Sequence, residues 1–194
     1  LVTPDSERTM CTFLGTAGKI NENDVSADAI KRSEIIFLEG YLWDEGEPKK
    51  AFDKAIKISK KTAMSLSDIF CVERHRLNFL NLVKNNLDII FSNEQEIISL
   101  IDAKNFNEVI DFGKNLKKLL VITRGEKGAI SILNNQITEN NIEKNLNIKD
   151  LTGAGDLFAA GFLHGYLNNL TQIECLNKGR EMSSKVIQQI GARL

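Results

Sequence analysis

The chain has 194 residues, 42% hydrophobic and 26% charged, which is enough apolar material for the core of one domain, at most with an appendage. Lys+Arg 25 against Asp+Glu 26 leaves a net charge of -1 with no polybasic run, which argues against a nucleic-acid or anionic-membrane surface. No apolar run approaches the length that spans a bilayer and no signal peptide is visible, so a cytoplasmic protein is expected.

Cys11, Cys71 and Cys175 are far apart and lack metal-ligand spacing; they read as free thiols of a reducing compartment, in or at the edge of the core. The opening Leu1-Val2-Thr3-Pro4 is not that of a natural start, so the sequence reads as a fragment. Residues 3–10 form a turn, and a strand is expected over 9–14.

A short helix is expected over 24–32, with Asp24 or Ser26 as its cap. Residues 34–40 are a short apolar run ending in Gly40, the pattern of a buried parallel strand. Tyr41-Leu42-Trp43-Asp44 follows at that strand's carboxyl end, where open α/β sheets collect ligands. Glu39 and Tyr41 are minor candidates for substrate contact there, against a plain core role for the aromatic pair. Pro48 opens a helix whose Ala51, Phe52, Ala55 and Ile56 recur at helical spacing.

A strand over 62–66, a loop at Ser67-Asp68 and a helix over 72–84 come next. Arg74-His75-Arg76 in that helix suggests a phosphate clamp, but a solvated helix face is the preferred reading. Residues 87–91 form a strand, and Ser92-Asn93-Glu94-Gln95-Glu96 leads into a helix through Ile101 with the spacing of a capping box. A further amphipathic helix contains Phe106, Val109, Ile110, Gly113 and Leu116. A buried strand over 119–123, a glycine-bearing turn through Gly125 and Gly128, and a strand over 129–133 read as a hairpin. Residues 134–147 are polar, a surface loop with one short strand.

Asp150-Leu151-Thr152-Gly153-Ala154-Gly155-Asp156 then opens an apolar helix over 153–166 that should be buried on more than one side. A helix N-terminus offers unpaired N–H groups and partial positive charge, and glycines let an anion approach the backbone closely. Asp156 beside a bound phosphate would be out of place unless it takes a proton from a hydroxyl that attacks the phosphate; complementing the helix dipole is the bland alternative. Thr171 caps a last helix whose Ile173, Leu176, Val186, Ile187 and Ile190 form a stripe. From about residue 34 strands alternate with helices, which gives an α/β architecture with a mostly parallel sheet and right-handed crossovers.

Residues 150–163 resemble the C-terminal signature of the ribokinase-like (PfkB) family of carbohydrate and nucleoside kinases. The resemblance implies Asp156 as catalytic base and the amides of Gly153, Ala154 and Gly155 as the anion hole for the transferred phosphoryl group. Leu151 departs from the family, which usually has a small or β-branched residue there; this bears on local packing and on a neighbouring monovalent-cation (potassium) site at Asp150. Asn93 and Glu96 match an Asn-x-x-Glu motif that organises magnesium, mostly through water, and amide and carboxylate oxygens are the hard donors magnesium prefers. Thr123, Gly125 and Gly128 resemble the nucleotide-side loop, Gly191 and Ala192 would lie beside adenine, and Arg8 is a weak candidate near the phosphates.

The implied fold is ribokinase-like α/β, a mostly parallel central sheet flanked by helices on both faces, with residues 1–194 its C-terminal portion and 1–15 the end of its lid. A preceding portion with the start of the sheet, most of the lid and a Gly-Gly motif that grips the acceptor is expected to be missing. The implied activity is ATP- and magnesium-dependent transfer of the γ-phosphate to a primary hydroxyl. The segments 39–44, 68–72 and 190–193 resemble bacterial members that act on adenosine. A simple sugar of the ribose or fructose type is the alternative acceptor, and a nucleotide-binding regulatory relative without turnover the alternative function. A homodimer through the lid is the implied assembly, with no nucleic-acid or membrane partner.

Overall fold

The computed structural model describes residues 1–44 and 46–194. Most helices start where the sequence supplies a cap. Ser26 caps α1 (Ala27–Arg32), Pro48 lies in the first turn of α2 (Glu47–Ile58), and Asp68 caps α3 (Ile69–Asn85). Asn93 caps α4 (Glu94–Ile101), Asn105 caps α5 (Phe106–Leu116), and Thr171 caps α7 (Gln172–Val186). Two helices begin on a glycine with no side-chain cap: α2 on Gly46, and α6 (Ala154–Leu167) on Gly153.

Short β-rich runs between the helices form a six-stranded sheet whose order follows the chain: β1 (Ile36–Glu39), β2 (Thr62–Ser65), β3 (Ile89–Asn93), β4 (Leu119–Thr123), β5 (Ala129–Leu133) and β6 (Gln136–Asn140). β1 and β2 pair in parallel with Ile36 opposite Thr62, and β2 and β3 with Ala63 opposite Ile89. The connections from β4 to β5 and from β5 to β6 are too short for a parallel crossover, so these strands run antiparallel.

The chain divides into two compact units. One comprises Leu1–Thr12, Thr123–Ser131 and Ile137–Leu194; the other comprises Phe13–Ile122 and Ile132–Gln136. In the first unit α6 and α7 pack closely, because a β-carbon on Gly161 would stand 2.5 Å from the Lys178 carbonyl oxygen. Phe162, Cys175, Leu176 and Val186 are buried there. In the second unit Ala63, Met64, Ile89 and Ile90 of the strands are sealed by Phe79, Val83, Ile97 and Leu100 of the helices.

Several expectations are corrected. Residues 9–14 form no strand: Met10, Phe13 and Leu14 are exposed, and only Arg8 bridges back to Val2. Alternating apolar residues make a strand only where a neighbour pairs with them. β1 is half-buried rather than buried, and it is paired on one side, with β2, among the described residues. His75 is buried, with its ring 4.6 Å from that of Trp43, while Arg74 is exposed and the Arg76 side chain is 40% exposed with its Nε donating to the Leu100 carbonyl at 3.1 Å. Cys11 is exposed, whereas Cys71 is half-buried and Cys175 buried, and all are free thiols. Ile173 and Ile190 of the expected stripe are exposed. The helix at 153–166 buries Phe158, Ala159, Gly161, Phe162 and Gly165 but exposes Ala160 and His164, so it has one solvent side.

Candidate functional site

In the first unit, the entry to α6 is held open by backbone geometry. Gly153 has φ +80°, and a β-carbon on it would come 2.8 Å from Cβ of Ala192. Gly155, two residues on, has nothing within 4 Å of where its β-carbon would stand. No side chain caps the helix; Ala154 N makes a long bond of 3.3 Å to the Leu151 carbonyl, and the entry has no side chain competing for an anion. Gly155 and Asp156 are both exposed, which puts a carboxylate in solvent within the first turn.

Asp150 ties this entry together. It is 2% exposed; Oδ1 accepts from Thr152 N at 2.8 Å and Thr152 Oγ1 at 2.6 Å, and Oδ2 accepts from Gly191 N at 2.9 Å. The Thr152 hydroxyl, then the Gly191 and Thr152 amides, hold its carboxyl below the ordinary carboxylate range, and the charge of Arg8 acts in the same direction. Gly191, at φ +94°, has nothing within 4 Å of its β-carbon position. Asp150, Gly153, Gly191 and Ala192 therefore meet at one place, and Asp156 follows directly from it.

Thr123, Gly125 and Gly128 belong to the same unit, on the turn between β4 and β5. Arg124 N donates to the Gly128 carbonyl at 2.8 Å and closes the turn. Gly128 has a packing reason to be glycine, since a β-carbon would stand 2.1 Å from the Asn140 carbonyl oxygen. Gly125, at φ +56°, faces open space.

In the second unit, Asn93 and Glu96 form a complete capping box at the junction of β3 and α4. Asn93 Oδ1 accepts from Glu96 N at 2.8 Å; the Glu96 carboxylate accepts from Asn93 N at 2.9 Å and from Asn93 Nδ2 at 2.6 Å. Glu96 is 5% exposed. Burial pushes its carboxyl up to about 7, and the negative charges of Asp68 and Glu39 add to the rise, while the hydrogen bonds from Asn93 oppose it. Among the described residues no group of three or more His, Cys, Asp or Glu side chains could hold a metal directly. The oxygens of Asn93 and Glu96 are hard donors already engaged with each other, so they suit magnesium through its water shell rather than by direct ligation.

Sequence reasoning passed over Ser67. It follows β2 in the left-handed region at φ +72° and donates from Oγ to Glu39 Oε2 at 3.1 Å. A Ser-Asp pair after a strand signals a loop and a helix cap, but neither strain nor a partner 28 residues away is visible locally. Trp43 is buried at 3% exposure while Tyr41 is 46% exposed, so the aromatic pair is split between core and solvent.

Comparison with known proteins matches residues 1–194 to the family described as "pfkB family carbohydrate kinase". A probable sugar kinase from Rhizobium etli CFN 42 is 37% identical and superposes with a TM-score of 0.95 over 99% of this chain and 60% of its own. The adenosine kinase from Sinorhizobium meliloti, also 37% identical, gives 0.94 over 100% of this chain and 61% of its own. The cytidine kinase of Thermococcus kodakarensis is 34% identical over 122 residues, which are 60% of this chain and 42% of that protein. The chain thus spans well under two thirds of the length of each. Among the described residues no helix is long and apolar enough to cross a membrane.

Proposed function

The chain belongs to the pfkB family of carbohydrate kinases, and from that membership we propose that it carries the phosphoryl-transfer chemistry of an ATP-dependent kinase acting on a primary hydroxyl of a nucleoside, adenosine first. The observation that carries this reading is the start of α6: a glycine-built helix N-terminus with no side-chain cap and an exposed carboxylate in its first turn. An anion is stabilised by such amides, and a carboxylate placed beside it is suited to take the proton of an attacking hydroxyl, a role beyond complementing the helix dipole.

In this reading the γ-phosphate rests on the Gly153, Ala154 and Gly155 amides. Asp156 takes the proton as the acceptor oxygen attacks phosphorus; the new O–P bond forms as the bond to the β-phosphate oxygen breaks, and ADP leaves. Positioning and electrostatics supply most of the rate. The nucleotide lies along Thr123, Gly125 and Gly128 with its base by Gly191 and Ala192. Asn93 and Glu96 hold magnesium through water, and the ion when bound neutralises charge on the phosphates. Asp150 has one acceptor site left of about four, so potassium would take a single contact from it. A cytoplasmic homodimer joined through the lid completes the proposal, with Met10, Phe13 and Leu14 the exposed apolar side chains it would cover.

A sugar acceptor is the second reading, favoured by the equal 37% identity to the probable sugar kinase and to the adenosine kinase. The test is ATP consumption by the full-length protein with magnesium and adenosine, cytidine, ribose or fructose. Adenosine turnover alone supports the first reading; turnover with a sugar alone replaces it with the second. Asp156→Asn should lower kcat at least about 100-fold while ATP binding persists. Near-normal turnover in that variant rejects Asp156 as the base.

A further inference from the structure

The carboxyl ends of β1 and β2 are locked together by one strained residue. Ser67 has φ +72°, a backbone region that costs a residue bearing a β-carbon about 1–2 kcal/mol. Other such residues have a local reason: Asp102 and Lys117 close helices, and Asn134 and Asn135 make the turn between β5 and β6. Ser67 closes no helix; it is the middle of a three-residue turn in which Asp68 N donates to the Leu66 carbonyl at 2.9 Å, a turn type that is rare and strained. Its strain is compensated by contacts to the end of the neighbouring strand.

The one proton of Ser67 Oγ is shared between Glu39 Oε2 at 3.1 Å and the Ser65 carbonyl at 3.2 Å, with the charged carboxylate the stronger acceptor, and Oγ accepts from Tyr41 N at 3.3 Å. The Tyr41 hydroxyl donates in return to the Ser67 carbonyl at 2.9 Å. Gly40 between them is pressed close, since a β-carbon there would stand 2.8 Å from the Leu66 carbonyl oxygen. Glu39 and Tyr41 are thus tied at both ends to one residue of the next strand. Around this knot the surface has aromatic rings in solvent, Tyr41 at 46% and Phe70 at 71% exposure. Exposed rings beside a carboxylate and a hydroxyl, at strand carboxyl ends, form a surface for a ring that carries hydroxyl groups. Strain at such a place points to function rather than to packing.

We propose that Ser67 is a positioning residue for the acceptor: its hydroxyl and left-handed backbone fix the Glu39 carboxylate and the Tyr41 ring where they receive the hydroxyl-bearing ring of the molecule to be phosphorylated. The proposal rests on the kinase reading above. It makes Ser67 act through Glu39 and Tyr41, with no contact of its own to the reacting atoms.

The test uses the full-length enzyme with whichever of adenosine, cytidine, ribose or fructose it turns over. Ser67→Gly removes the hydroxyl and adopts the same φ without strain, so the relieved strain offsets the lost hydrogen bonds and the fold persists with a Tm close to the parent's. The expected result is an acceptor KM raised about tenfold, the worth of one hydrogen bond, with the ATP KM and kcat within about twofold of the parent. Tyr41→Phe, which loses the bond to the Ser67 carbonyl, should move the acceptor KM by a few-fold in the same direction. An unchanged acceptor KM in Ser67→Gly overturns the proposal and leaves the kinase reading intact. Equal rises in both KM values with a lowered Tm also overturn it, since that is the behaviour of a structural turn. Failure of the unaltered enzyme on all the acceptors removes the kinase reading and this proposal together.

Discussion

Gly153 and Gly155 stand two positions apart at the start of α6 and are glycine for different reasons. Gly153 has a positive φ and presses on Ala192, so a methyl group there meets both backbone strain and a clash at 2.8 Å. Gly155 has an ordinary φ and open space, so nothing in the fold requires it to be glycine. What remains for Gly155 is the approach of a ligand to the backbone. Gly153→Ala is therefore expected to destabilise the protein by about 2 kcal/mol or more, read as a lower Tm. Gly155→Ala, at an open helical position, should raise the Tm of the ligand-free protein slightly while reducing the rise in Tm that ATP is expected to produce. If Gly155→Ala melts early and Gly153→Ala does not, the division of roles is wrong.

The helix starts show how a local motif can carry both structure and chemistry. The Asn93–Glu96 box satisfies the first turn of α4, yet it does so with a buried carboxyl raised from 4.5 to about 7. A raised carboxyl binds more protons in the folded state between those values, so its stabilising effect is complete below about 4.5 and is lost as pH rises through about 7. Glu96→Gln cannot ionise and keeps one of the two bonds from Asn93, because its amide nitrogen cannot accept a hydrogen bond. Urea melts of the metal-free chain should show this variant gaining about 2–3 kcal/mol on the parent between pH 5 and pH 8. An equal difference at both pH values would mean that Glu96 does not titrate in this range.

That box was legible in the sequence because its partners are three residues apart, as were the Thr171–Glu174 cap of α7 and the Ser26 cap of α1. The alternation of strands and helices was legible for the same reason. The bond from Gly191 to Asp150 spans 41 residues and the bond from Ser67 to Glu39 spans 28, and no local period announces either. Residues 9–14 and β1 fail as buried strands because burial depends on neighbours that the local pattern does not contain. His75 was misplaced because a charged run hides an aromatic packing site with Trp43 and Phe79.

At the scale of the whole molecule, the division into two units conflicts with the way the strands are cut. The boundaries fall between Ile122 and Thr123 in β4, between Ser131 and Ile132 in β5, and between Gln136 and Ile137 in β6. Each unit therefore owns part of the same strands, and a strand does not keep half of its backbone hydrogen bonds while the rest unravels. Coupled unfolding is expected despite the separate cores. Two native probes sit in different units: Trp43, the single tryptophan, is buried in one, and the thiol of Cys175 is buried in the other. Tryptophan fluorescence and Cys175 alkylation read by mass spectrometry should give the same urea midpoint and the same slope. A Cys175 transition well separated from the Trp43 transition would mean that the units unfold independently. The start of α6, which shares its unit with Cys175, would then belong to a cooperative unit of its own, and ATP held at the proposed site would shift only the Cys175 transition.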